Sequence, residues 1–195
     1  MSSLSALENV HAKGQFGDFE GKDDKNLLSI SETSNLLIVQ IVQYKGSKLP
    51  LNDFQIDNLN LKDKPSLVIS NDETRILWNG PGNWILVSKK KDLLNEIEQK
   101  FNENEFAVTD ISHSKAIIEI EGKEAKEVLK KGCPFNFGKL EKNQCLNSTY
   151  HGMSVIIDML DDDPDKFRIF GLRSFGESLY HSISDASLEF GYIAK

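Results

Sequence analysis

The sequence predicts an α+β fold, with mostly antiparallel sheets and helices on one face. Three patterns lead to this class: short aliphatic or alternating segments typical of strands, amphipathic stripes typical of helices, and turn-forming residues between consecutive strands. They occur in the order β-β-α, β-β-α, β-β-β-α. Grouped units of this kind are typical of antiparallel sheets with helices packed against one face.

The chain of 195 residues has the length of one domain or of two small fused halves. Its first residues are polar and contain several glycines, so we expect an extended N-terminal arm over residues 1–35. We predict a single α+β domain over residues 36–195, or two fused halves over residues 36–132 and 133–195. Hydrophobic residues make up 39% of the chain, which is enough to build a sizeable core.

The first predicted unit begins at residues 36–42, a dense aliphatic run that indicates a buried strand. Residues 45–72 show no clear periodicity, and segments of this length often lie against a partner. Residues 74–78 and 84–87 predict a hairpin whose turn is rich in glycine, asparagine and proline. Residues 92–101 carry apolar side chains at helical spacing and predict the first helix.

The second predicted unit repeats this pattern. Residues 106–112 and 115–121 predict two strands, and the apolar and charged residues of the second alternate as in a half-buried strand. Residues 123–131 predict a helix with one apolar stripe. We expect Gly132 to end this helix in the left-handed conformation, which glycine adopts without steric cost.

The third predicted unit begins with a hairpin formed by residues 145–150 and 153–160. Residues 167–172 predict a further strand after an acidic turn. Ser174 and Glu177 match a capping box, in which the two side chains satisfy each other's backbone donors at the start of a helix. The sequence therefore predicts that the last helix begins at this box.

The charge of the chain argues against nucleic acid or an anionic membrane as its partner, because the net charge is −7. No apolar run reaches the ~18 residues of a membrane helix. Residues 1–11 lack the basic and apolar regions of a secretory signal. We therefore expect a cytoplasmic protein in which Cys133 and Cys145 are reduced.

No pattern in the sequence predicts a catalytic residue, a bound cofactor or a metal site. The glycine-rich dinucleotide turn, the phosphate-binding loop, the nucleophile elbow and the zinc-binding helix motif are all missing. His113 lies near a serine and an aspartate, but sequence neighbours in a strand point to opposite faces, which argues against a triad. The aspartates of residues 161–165 lack the glycine and glutamate that a calcium loop requires.

The use of arginine indicates candidate interface residues. Of the 23 lysines and arginines, only three are arginine: Arg75, Arg168 and Arg173. In a chain that otherwise uses lysine as its solvated cation, an arginine favours a fixed, forked contact with a carboxylate or carbonyl. Arg173 precedes a predicted helix start, where partial positive charge disfavours a cation that has no partner. Our candidate interface residues are Arg173, Arg168 and His113.

Several segments together resemble the sarcosine oxidase gamma-subunit family. Residues 78–86 (Trp-Asn-Gly-Pro-Gly-Asn-Trp-Ile-Leu) are similar to its hairpin of aromatic-bearing strands about a Gly-Pro turn. Residues 110–113, 120–122 and 128–134 are similar to its central signature, and residues 173–175 to its C-terminal signature. The resemblance covers more than half of the chain.

This resemblance implies a subunit of a heterotetrameric enzyme that oxidatively demethylates sarcosine to glycine and passes the methyl carbon to tetrahydrofolate. It implies alpha, beta and delta subunits as partners, which carry FAD, FMN, NAD and zinc. For this chain the resemblance implies a non-catalytic gamma subunit that holds no cofactor and supports assembly of the complex.

The same region more distantly resembles the folate-binding domain of the glycine-cleavage aminomethyltransferases. That family holds folate with an Asn-Asp pair after a glycine-bearing helix, whereas residues 133–137 here read Cys-Pro-Phe-Asn-Phe and contain no carboxylate. A stand-alone folate-binding one-carbon protein of the aminomethyltransferase type is therefore the alternative function. A third is an interaction module of another amine-oxidising flavoenzyme.

Overall fold

The structure is a computed structural model that describes residues 5–47, 49–51 and 54–195. Within these ranges it contains strands, three α-helices and short 3-10 turns. The helices are α1 (Leu93–Lys100), α2 (Ala125–Gly132) and α3 (Gly176–Ser187). The strands are β1 (Gly14–Phe16), β2 (Leu28–Glu32), β3 (Leu37–Gln43), β4 (Gln55–Ile56), β5 (Leu59–Asn60), β6 (Val68–Ser70), β7 (Thr74–Gly80), β8 (Asn83–Ser88), β9 (Phe106–Asp110), β10 (Lys115–Glu121), β11 (Cys145–Tyr150), β12 (Met153–Asp162), β13 (Asp165–Leu172) and β14 (Tyr192–Ala194).

The chain divides into two compact units. Unit 1 contains the chain through Ser34, His113–Lys142 and Leu146–Lys195, and unit 2 contains Asn35–Ser112 and Asn143–Cys145. The predicted boundary between residues 132 and 133 therefore lies inside unit 1. Residues 1–35, predicted as an extended arm, include β1 and β2 of the sheet of unit 1, because β2 pairs with both β10 and β14.

The sheet of unit 1 has seven strands in the order β1-β14-β2-β10-β13-β12-β11. The pair β14–β2 is parallel, and β10 pairs antiparallel with both β2 and β13. The β10–β13 ladder has seven residue pairs, from Lys115 opposite Leu172 to Glu121 opposite Lys166. This register fixes which side chains of the two central strands share a face.

One face of this sheet forms the core of unit 1. Ile118 and Ile120 of β10 and Phe167 and Ile169 of β13 lie on this face and are fully buried. Burial of each such side chain contributes about 1.5–3 kcal/mol to stability. Both helices of the unit pack their apolar stripes into the same core, through Val128, Leu129, Leu179 and Ile183. The predicted α+β fold, with mostly antiparallel sheets and helices on one face, is confirmed.

The five-stranded sheet of unit 2 has the order β6-β7-β8-β3-β9, and its neighbouring strands are antiparallel. Leu93 and Ile97 of α1 belong to the same core cluster as Trp84. Trp84 is 1% exposed, and its Nε1–H donates a hydrogen bond to the carbonyl of Lys62 at 3.0 Å. The strands and the helix predicted between residues 74 and 101 are therefore confirmed.

The aperiodic residues 45–72 include β4, β5 and β6. Asp57, between β4 and β5, accepts hydrogen bonds from Thr74 Oγ1 and Lys90 Nζ, each at 2.6 Å. These contacts hold the pKa of Asp57 below its usual range, and the hydrogen bond from Lys90 has the largest effect. Ile56, Leu59 and Leu61 of the same hairpin are buried in the core of unit 2. Because β4 and β5 have only two residues each, hydrophobic periodicity did not indicate them.

The prediction that Gly132 ends its helix in the left-handed conformation is wrong. Gly132 is the last residue of α2, and the following Cys133 is extended, with φ −116°. A Cβ at Gly132 would lie 2.7 Å from ring atoms of Tyr150, whose hydroxyl donates to the carbonyl of Val128 at 3.1 Å. The glycine is needed for this close approach of helix and ring rather than for a turn.

The predicted capping box is also wrong. A 3-10 turn over Arg173–Phe175 precedes α3, and no side chain caps the helix. Glu177 Oε1 instead accepts a hydrogen bond from Asn9 Nδ2 at 3.2 Å. The chain enters α3 at Gly176, where a Cβ would lie 3.0 Å from that of Ala116, so close packing on β10 determines the helix start.

Gly132→Ala should destabilise the chain by about 1–3 kcal/mol, because the added methyl group collides with the Tyr150 ring. Helix propensity alone predicts the opposite sign, with alanine better by about 1 kcal/mol. Denaturant unfolding measures the difference.

Gly46→Ala is the matched control, because nothing among the described residues lies within 4 Å of its Cβ position. Its stability should stay within about 0.5 kcal/mol of the parent chain. A Gly132→Ala chain as stable as the control would contradict the packing role.

Candidate functional site

Two of the three candidate interface residues lie at one end of the β10–β13 ladder. β10 begins at Lys115 and β13 ends at Leu172, directly opposite. His113 lies just before the first strand and Arg173 just after the second. The Arg173 backbone N–H donates to the carbonyl of Ser114 at 2.8 Å, which holds the two connecting segments together.

Large apolar side chains are exposed beside Arg173. Leu172 is 42% exposed and Phe175 is 47% exposed, whereas Arg173 is half-buried and His113 is exposed. We define the rim as these four residues. An exposed aromatic and an aliphatic side chain that flank an arginine have the composition of a protein interface core.

Arg168 lies away from the rim, within the β10–β13 ladder. Its Nε and Nη2 atoms contact Glu119 Oε1 at 2.8 and 2.7 Å, and both side chains are about 15% exposed. Lys166 Nζ lies 2.8 Å from Glu121 Oε2 and 3.6 Å from Glu119 Oε2. The forked contact predicted for an arginine is therefore made by Arg168 within the chain.

We call Glu119, Glu121, Lys166 and Arg168 the ion cluster. Its cations determine the direction in which the pKa of Glu119 is shifted. Burial by itself raises the pKa of this carboxyl, but the Arg168 guanidinium, its hydrogen bond and Lys166 together outweigh burial. The pKa of Glu119 is therefore lowered, and the carboxylate stays ionised at neutral pH. Glu119 contributes stability that is present above its unfolded pKa of about 4.3 and is lost as the pH falls below it.

A cavity of about 470 Å³ opens on the same face of the sheet as the ion cluster, at its rim end. The strands β10, β13, β12 and β11 all contribute to it, and Lys115 is its cation. Burial lowers the pKa of the Lys115 ammonium below its ordinary value. We call this space the sheet cavity.

The cysteines and the other acidic or histidine residues form no further candidate centre in the described part of the chain. Cys133 and Cys145 are both buried; Cys133 Sγ contacts Ser148 Oγ at 3.2 Å, and Cys145 Sγ contacts the carbonyl of Trp78 at 3.3 Å. Within the described ranges, no three His, Cys, Asp or Glu residues are grouped as metal ligands would be. None of the helices described is long and apolar enough to cross a membrane.

The sequence indicated His113 and Arg173 of this region but missed the sheet cavity and the exposed Leu172 and Phe175. The signal for Lys115 was present, because the alternation of residues 115–121 places Lys115 on the face opposite the core. Its neighbours across three other strands are distant in sequence. Only the strand order and register bring them together.

No known protein-family model matches the chain. The chain is 27% identical over 120 residues to sarcosine oxidase subunit gamma of Corynebacterium sp. (strain U-96), a match that spans 60% of this chain and 58% of that relative. The predicted resemblance to the gamma-subunit family is confirmed. The match covers less than two thirds of the relative's length.

The fold is shared with two solved structures. A chain of the heterotetrameric sarcosine oxidase from Corynebacterium sp. U-96, in complex with pyrrole 2-carboxylate, superimposes with a TM-score of 0.82 at 20% identity, covering 96% of this chain and 95% of that one. The aminomethyltransferase T of the glycine cleavage system from Bartonella henselae gives 0.61 at 14% identity, covering 82% and 46%. The weaker resemblance to the aminomethyltransferases is therefore also confirmed.

Arg168→Met should destabilise the chain by about 1–3 kcal/mol at pH 7, because it leaves the partly buried Glu119 carboxylate without its nearest cation. The double variant Arg168→Met/Glu119→Gln removes both charges and should recover most of the loss. Chemical unfolding at pH 7 and at pH 4 measures both effects.

The sign of the pH effect follows from the lowered pKa of Glu119. The penalty in Arg168→Met should shrink as the pH falls below about 4.3, where the carboxylate becomes protonated in the unfolded chain. A penalty independent of pH, or a double variant no more stable than the single one, would show that the ion pair does not account for the loss.

Proposed function

We propose that this chain is the gamma subunit of a heterotetrameric sarcosine oxidase, acting in the cytoplasm with alpha, beta and delta subunits. Its match to a gamma subunit over 120 residues supports this proposal, and the fold common to the two proteins agrees with it. The complex would oxidatively demethylate sarcosine to glycine and pass the methyl carbon to tetrahydrofolate. Its FAD, FMN, NAD and zinc would lie in the partner subunits.

The role proposed for this chain within the complex is assembly rather than catalysis. The rim supports that role because it exposes two large apolar side chains, Leu172 and Phe175, beside a half-buried arginine. Contact with a partner would remove this apolar surface from water. Burial of this kind stabilises a complex by about 25 cal/mol for each Å² of apolar surface. Arginine and aromatic residues are also over-represented among the side chains that dominate binding energy.

The alternative, a stand-alone folate-binding protein, has less support in the residues after α2. Asn136 Oδ1 accepts a hydrogen bond from the backbone N–H of Gly138 at 3.1 Å and so caps a local 3-10 turn. Phe137 is fully buried in the core of unit 1. Asn136 and Phe137 thus serve the local turn and the core, and residues 133–137 contain no carboxylate.

Co-expression of the tagged chain with the other three subunits of the enzyme tests the proposal. Wild-type chain should co-purify with flavin-containing partners, which a flavin spectrum detects. Leu172→Ala and Arg173→Ala should each reduce the recovered flavin about tenfold or more, as expected for residues at the centre of an interface. The free energy of unfolding of each isolated variant should lie within about 1 kcal/mol of wild type, since both changes lie at exposed or half-buried positions.

Leu188→Ala is the matched control, because Leu188 is 40% exposed and lies outside the rim. It should co-purify as well as wild type. If the wild-type chain recovers no partner, the proposed function is wrong. If Leu172→Ala and Leu188→Ala behave alike, the chain is a subunit but the rim is not its interface.

A further inference from the structure

The sheet cavity is lined by side chains from the non-core face of four adjacent strands. The register pairs Lys115 of β10 with Leu172 of β13, and Phe170 of β13 with Ile156 of β12. Thr149 of β11 also lines the cavity, at its far side. Adjacent strands lie about 4.8 Å apart, so Lys115 and Thr149 lie on strands separated by roughly 14 Å.

The chemistry of the lining changes from one side of the cavity to the other. The ammonium of Lys115 lies on β10, the apolar Phe170 and Leu172 lie on β13, and β12 contributes the apolar Ile156 and the polar Ser154. The polar Thr149 lies on β11, at the far side. A volume of about 470 Å³ lies in the range of small-molecule sites. This order of groups matches an elongated molecule with an anionic end and an apolar body.

Lys115 has no carboxylate to compensate its charge among the residues that the structure describes. Three other lysines of unit 1 differ in this respect: Lys126 contacts Asp165 at 2.7 Å, Lys131 contacts Glu189 at 2.8 Å and Lys166 contacts Glu121 at 2.8 Å. Burial lowers the pKa of Lys115 without an opposing acidic neighbour. A partly desolvated cation without a counterion is unfavourable, and an anionic ligand would offset that cost.

The single cation also limits the charge of the ligand. A phosphate dianion is normally held by several donors, such as a bidentate arginine, a helix N-terminus or a nest of backbone N–H groups. The residues that line the cavity include one ammonium, three with hydroxyl groups (Ser148, Thr149 and Ser154) and the Asn147 amide. A carboxylate monoanion fits this set better.

We propose that the sheet cavity binds a small organic carboxylate with an apolar body, whose carboxylate contacts Lys115 and whose body packs on Ile156 and Leu172, above the buried ring of Phe170. This ligand site goes beyond the proposed function and does not depend on it, because it is tested on the chain alone. It shares Leu172 with the rim. The site binds its ligand without a chemical step.

Titration of the full-length chain with benzoate tests the proposal, and neutral benzamide serves as the matched control ligand. Heteronuclear NMR should show saturable shifts for benzoate, with Kd below about 1 mM. The shifted signals should include residues 115, 149, 154, 156, 170 and 172. Benzamide should bind about tenfold or more weakly, because it lacks the charge that Lys115 attracts.

Two variants locate the binding. Lys115→Met should weaken benzoate binding about tenfold or more and leave benzamide binding unchanged. Ser154→Leu should weaken both ligands, because Ser154 is exposed in the cavity and a larger side chain fills it. Lys139→Met, at an exposed lysine outside the cavity, should leave both affinities unchanged. Thermal melts confirm that each variant is folded.

Several results would overturn the proposal. They are the absence of saturable benzoate binding up to about 10 mM, equal affinity for benzoate and benzamide, and signal changes confined to residues outside the cavity. Benzoate binding that is the same in Lys115→Met and Lys139→Met would also refute it. If Lys115→Met does not fold, the loss expected in Ser154→Leu still decides the question.

Discussion

The antiparallel ladder between β10 and β13 is the constraint on which the rest of unit 1 depends. Its seven residue pairs place Ile118 and Ile169 on the core face and Glu119 and Arg168 on the opposite face. A shift of one residue in either strand would exchange these faces, moving apolar side chains out and charges in. The register is therefore strongly specified by burial on one side and by the Glu119–Arg168 pair on the other. The core packing, the ion cluster, the sheet cavity and the rim all follow from it.

The two ends of this ladder have different environments. At the Glu121 end, Lys166 and the ion cluster cover the non-core face with paired charges. At the Lys115 end, acidic side chains are replaced by apolar and hydroxyl groups, and the chain leaves the sheet through Arg173 into α3. The paired charges stabilise the ladder itself. An uncompensated ammonium and exposed apolar side chains, in contrast, do not contribute to the stability of the isolated chain. Such features are typical of surfaces that bind a ligand or a partner.

Much of the fold could be predicted from local patterns, because the long strands and the amphipathic helices carry their own periodicity. The short strands β1, β2 and β14 escaped prediction, since each has at most two buried residues, such as Leu28 and Ile30 in β2, and so gives little alternation. Their pairing also joins distant parts of the chain. The conformation of Gly132 was mispredicted for a different reason. The sequence suggested a glycine that ends a helix, whereas the structure requires glycine there because the Tyr150 ring packs against it. The site was predicted in part. His113 and Arg173 were identified by residue type, whereas the cavity depends on four strands that only the tertiary structure aligns.

The central claim is that the end of the β10–β13 ladder, at the rim, is where this chain meets its partners. Hydrogen–deuterium exchange of the chain alone and in the co-purified complex tests this claim most directly. Backbone amides of residues 113–114 and 173–176 should exchange about tenfold or more slowly in the complex, because a partner would exclude water from them. The amides at the centre of β10 should change little, since the ladder already protects them. Unchanged exchange at the rim, with protection confined to other surfaces of the chain, would contradict the account.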